Sequence, residues 1–111
     1  MTKGMYPEAL AAAEKAISME PDYSSAYQTR GFILLNVGRY SEAKEAFRQA
    51  IAIDNNLCLT NLYLAAIYSR EGNHILAQQH CNKAKEDNCE VKYELEQELK
   101  QIGLQCEGLI Y

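Results

Sequence analysis

Six residues carry the side chains most suited to chemistry: Cys58, Cys81, Cys89 and Cys106, and the histidines His74 and His80. No two cysteines stand in C-x-x-C spacing, so a thioredoxin-like redox motif and a zinc ribbon both fail. His80 and Cys81 are consecutive. On a helix such neighbours point about 100° apart and converge poorly on one ion, so Cys81 reads as a core thiol and no metal site is expected. Neither histidine has a legible Ser, Cys or Asp arrangement around it, and no G-x-x-x-x-G-K-[ST] loop occurs. The sequence therefore assigns no catalytic residue, no metal ligand and no cofactor, and the chain does not read as an enzyme. Four scattered cysteines would pair in a secreted protein. With no apolar signal core at the start, reduced thiols are the expectation instead.

The charges follow the same bland pattern. The glutamates from Glu86 to Glu98 are interspersed with Lys85, Lys92 and Lys100, which suits a solvated helix face with pairs such as Glu96–Lys100. Recruitment of a basic partner is the alternative. A net charge of −4 over 111 residues argues against nonspecific nucleic-acid binding, which needs a basic surface. No apolar run approaches the ~18 residues that cross a bilayer. A single small domain with a cytoplasmic location and no membrane contact is the expectation.

The elements that must position these residues declare themselves by a period of 34. Gly4, Gly38 and Gly72 recur at that interval, as do Tyr6, Tyr40 and His74, then Ala9, Ala43 and Ala77, then Ala16, Ala50 and Ala84. Such a period marks a stacked helical repeat. Apolar spacing predicts helices over residues 7–19, 25–36, 41–53, 57–70, 75–86 and 91–102, with Pro21, Gly38, Asp54, Gly72 and Gly103 punctuating them. The last helix sets Leu95, Leu99 and Ile102 beside Glu94, Glu96, Glu98 and Lys100, one dry face and one wet, as an end cap requires. Gly108 to Tyr111 form an apolar tail with no assignment.

These residues resemble the tetratricopeptide repeat family. Over residues 24–57 the matches are Tyr27, Gly31, Gly38, Tyr40, Ala43, Phe47 and Ala50. Over 58–91 they are Leu64, Ala65, Tyr68, Gly72, Ala77 and Ala84. Residues 1–23 match only the second half of a repeat, through Gly4, Tyr6, Ala9, Ala16 and Pro21, and 92–111 supply the capping helix and tail. Arg30, Asn61, Cys81, Asn55 and Cys89 depart from the pattern. The resemblance implies an all-α superhelix, a solenoid of stacked antiparallel helix pairs with a leading half-repeat. Its small residues stand where two helices of one repeat approach closely.

The resemblance also implies a function: a non-catalytic protein-interaction module that holds a peptide or partner helix on its concave face. By register that face carries Ser25, Gln28, Thr29, Phe32, Leu35 and Asn36, then Leu59, Leu62, Tyr63, Ala66, Ser69 and Arg70. Phe32, Leu35, Leu59, Leu62 and Tyr63 make an apolar floor, and Gln28, Thr29, Asn36 and Arg70 are suited to a peptide backbone or carboxylate. Leu62→Arg is expected to charge that floor with little effect on folding. Gln28, Thr29, Phe32, Leu59 and Tyr63 hold the positions of the family's carboxylate clamp, and none is basic, so that clamp is not expected. The first helix lacks a partner, so a structural role by homo-oligomerisation through it is the alternative.

Overall fold

The computed structural model describes residues 5–87 and 89–104. Expectations placed on Gly4, Cys106 and the tail 108–111 lie outside the described residues. The chain is all-α, with six helices and no strand among the described residues. It forms two compact units, Met1–Asn55 and Asn56–Tyr111.

In the first unit, α1 (Tyr6–Met19), α2 (Ser24–Asn36) and α3 (Tyr40–Ile53) follow one another through short turns. Alanine-rich α1 tolerates Pro7 in its first turn, where the missing N–H has no helical partner to lose. After Pro21 ends it, Tyr27 of α2 donates its hydroxyl to the Pro21 carbonyl at 2.9 Å and ties the turn to the next helix. Gly38 then closes α2 at φ +83°, with its N–H on Leu35 O (3.1 Å) and the Arg39 N–H on Leu34 O (2.9 Å). That is a Schellman closure, whose left-handed residue is costly for anything but glycine.

Packing of α2 on α3 explains the small residues. A Cβ on Gly31 would lie 2.6 Å from Phe47 Cε1. Phe47, Ala43, Ala46 and Ala50 are all fully buried. Glycine lets the α2 backbone rest on the aromatic ring; any larger residue pushes against a ring with no room to retreat.

The second unit repeats the plan. Gly72 closes α4 (Cys58–Arg70) at φ +84° through the bonds Gly72 N–H to Ser69 O and Asn73 N–H to Tyr68 O. Asn73 then caps α5 (His74–Glu86), its Oδ1 accepting from the Leu76 N–H at 3.2 Å. Both α5 and α6 (Tyr93–Ile102) pack against α4. Residues 60–69 are buried without a break, so α4 has no wet stripe.

Three expectations are corrected here. Cys58 and Cys89 are joined by a disulfide with Cα atoms 5.7 Å apart, and Cys81 is disulfide-bonded too, so the thiols are not reduced. The spacing along the chain hid this, because the hairpin brings the start of α4 to the residues after α5. Glu96, read as part of the wet face, is buried, and its carboxylate pairs with Lys100 Nζ at 3.0 Å. Val91, placed inside the last helix, precedes it and is buried in the connection.

Candidate partner-binding site

In the first unit, α2 arrays Ser25, Thr29, Phe32 and Asn36 as one exposed stripe, at the i, i+4, i+7, i+11 spacing of a helix face. Gln28 is half-buried beside it and Leu35 is buried beneath it. Phe32 is 39% exposed, which is large for an aromatic in the middle of a helix. Asn36, exposed, donates its Nδ2 to the Phe32 carbonyl at 2.8 Å.

Beside this stripe runs a cleft of about 370 Å³ that the sequence did not reveal. Its floor is Ala9, Ala12, Ala13 and Ala16 of α1, and its other wall is Tyr23, Ser25, Ala26 and Thr29. Apolar atoms dominate, with the hydroxyl-bearing side chains Tyr23, Ser25 and Thr29 all on the second wall. The contribution of α1 was legible only as good helix-forming alanine; which face stayed open depended on how α1 met α2.

The residues expected on α4 behave differently. Leu59 lies at the exposed end and Arg70 is exposed, whereas Leu62, Tyr63, Ala66 and Ser69 are buried. Within the second unit α6 covers part of this side. Gly103 approaches so closely that a Cβ there would lie 3.2 Å from Arg70 Cβ and 3.3 Å from the Ala66 carbonyl oxygen. Arg70 Nη1 donates to the Ile102 carbonyl at 3.4 Å. Burial pushes the Tyr63 hydroxyl above the usual phenol range, and the nearby Glu98 carboxylate adds to it. Leu62 has no exposure, so Leu62→Arg would bury a charge rather than decorate a floor.

His80 has a structural occupation. Asn61 donates Nδ2 to the Leu57 carbonyl (3.1 Å), which turns its Oδ1 toward His80 Nδ1 at 2.9 Å. The histidine therefore carries its proton on Nδ1 and donates it. Its ring stacks on Tyr68, with centroids 5.5 Å apart and planes 12° from parallel. Asn61 and His80 stand where the first repeat has Tyr27 and Ala46, so a polar pair replaces an aromatic over an alanine. Among the described residues, no three His, Cys, Asp or Glu side chains cluster as metal ligands would.

The family model for the tetratricopeptide repeat matches residues 24–57, the segment that holds α2, α3 and both sides of their Gly31–Phe47 contact. The chain belongs to the tetratricopeptide repeat family. It is 41% identical over 76 residues to the human protein O-mannosyl-transferase TMTC3, covering 67% of this chain and 8% of that protein. It is 33% identical over 78 residues to the TPR repeat-containing thioredoxin TTL4 of Arabidopsis thaliana, covering 70% of this chain and 11% of the other. Among solved structures, a MamA mutant superimposes with a TM-score of 0.69 at 27% identity, over 83% of this chain and 50% of MamA. The chain thus spans only a small part of the curated relatives named here. The tetratricopeptide fold is that of a protein-interaction scaffold, and no helix among the described residues is long and apolar enough to cross a membrane.

Proposed function

We propose that the chain is a non-catalytic module that holds an extended peptide or an amphipathic partner helix along α2. The observation that carries this reading is the exposed stripe Ser25, Thr29, Phe32 and Asn36 beside the alanine-floored cleft. Phe32 supplies an aromatic anchor. Ser25 and Thr29 offer hydroxyls to a backbone, and the alanine floor lets a ligand approach closely. Leu59 and Arg70 are the exposed α4 members of the expected set; Leu62 and Ala66 would reach a ligand only if α4 were uncovered.

The test is binding of short amphipathic and extended peptides to the intact chain and to Thr29→Arg and Phe32→Arg. Both positions are exposed, so helical content should stay unchanged. A drop in affinity of roughly tenfold or more is expected for each. Undiminished binding by both folded variants would sink the reading.

A second reading is self-association through α1. Ala12 is exposed and Ala9 and Ala16 are half-buried, while their repeat equivalents Ala46, Ala43 and Ala50 are fully buried in the first unit. Sedimentation over a rising concentration series would reveal a dimer that Ala12→Arg abolishes; a monomer throughout argues against it.

A further inference from the structure

We infer that this chain is built for an oxidising compartment, and that its second unit depends on the Cys58–Cys89 disulfide to hold the open end of the α4–α5 hairpin shut.

The hairpin has two ends. The turn end is closed by Gly72 and the Asn73 cap. At the other end Cys58 is the first residue of α4, and Cys89 follows α5, where its N–H bonds the Ala84 carbonyl at 3.1 Å. The disulfide therefore ties the first residue of one helix to a residue already fastened to the end of the other.

The chain carries its own unstapled counterpart. One repeat earlier, the positions of Cys58 and Cys89 are Ser24 and Asn55, which form no covalent link. The pair is thus an addition to the repeat and not a requirement of its geometry. Redox chemistry is also confined to one unit, since all four cysteines follow residue 56 and Met1–Asn55 has none. No described cysteine is free. Cys89 and Cys81 are buried and Cys58 is half-buried, which shields the bonds from attacking thiolates. A disulfide across the hairpin, with Cys81 bonded as well, belongs to a compartment that keeps thiols oxidised. This replaces the cytoplasmic expectation, and it places the module's partner in the same environment.

Closure is a two-electron oxidation. The Cys58 and Cys89 thiols lose two protons and two electrons to a disulfide oxidant, which leaves as a dithiol. The bond spans 31 residues, and in the chain-entropy picture closing such a loop shifts the unfolding equilibrium by a few hundred-fold.

Two measurements decide the matter. In the first, cells that make the protein naturally are lysed into an alkylating agent and the chain is mapped under non-reducing conditions. A Cys58–Cys89 cross-linked peptide is expected; both cysteines alkylated would overturn the compartment assignment. In the second, amide exchange is compared between the oxidised chain and Cys58→Ser/Cys89→Ser. Amides of α4 and α5 should exchange at least a hundred-fold faster in the variant, with those of α2 and α3 changed less than threefold. A second unit that does not fold without the bond supports the dependence, and equal protection in the two proteins refutes it.

Discussion

Adding one methyl group at Gly31 sets two known effects against each other. Alanine is a better helix former than glycine by about 1 kcal/mol, so an open site would be stabilised. Gly31 is not open. The added Cβ would meet Phe47 Cε1 at 2.6 Å, Cδ1 at 2.7 Å and Cζ at 3.0 Å, where ordinary carbon contacts begin near about 3.5 Å. Ring or helix must therefore move by about 1 Å, and the ring is fully buried. Overpacking of this kind costs about 1–3 kcal/mol. Gly31→Ala should then destabilise the first unit by about 1 kcal/mol. In a Phe47→Leu background the clash is gone and the same change should stabilise by about 1 kcal/mol, a coupling of about 2 kcal/mol. Leucine's own cavity cost cancels in the cycle. The second repeat makes the trade naturally, with Ala65 and Cys81 at the equivalent positions. The assay is denaturant-dependent amide exchange of α2 and α3 in the four proteins, which reads the first unit separately. Additivity within about 0.5 kcal/mol, or stabilisation by Gly31→Ala with Phe47 present, would refute the packing argument.

Three further outcomes follow from the geometry. Gly38→Ala and Gly72→Ala should each cost about 1–2 kcal/mol by denaturant unfolding, from backbone strain alone, since a Cβ at either site meets nothing within 4 Å. His80→Ala should cost about 1–3 kcal/mol, because Asn61 loses the donor to its buried Oδ1; Asn61→Leu with His80→Ala should recover part of that loss. In an ultraviolet titration Tyr63 should ionise above ordinary tyrosine, and Glu98→Gln should lower its pKa only partly, since burial is the larger cause. The folded state holds that proton more tightly than the unfolded one. Its stabilising contribution is complete below the unfolded pKa of about 10 and falls as pH rises from there through the folded pKa.

The recurrence of glycine and alanine every 34 residues determined the helix pairs, their turns and the family, because each of those features is local. Gly38 and Gly72 needed a left-handed backbone whatever surrounded them, and the alanines of α3 needed a close neighbour of one kind only. The site was less legible because exposure belongs to neighbours and not to residue type. Register could place Ser25, Thr29 and Phe32 on a helix face, and the fold left them open; the same register placed Leu62 and Ala66, and they are enclosed in a helix with no wet side. The alanine floor of α1 became a cleft only where α2 failed to cover it. Cys58 and Cys89 were 31 residues apart as letters, and only the antiparallel return of α5 put their Cα atoms 5.7 Å apart. Composition and period act along the chain, whereas burial and covalent pairing depend on distances that exist only after the helices have packed.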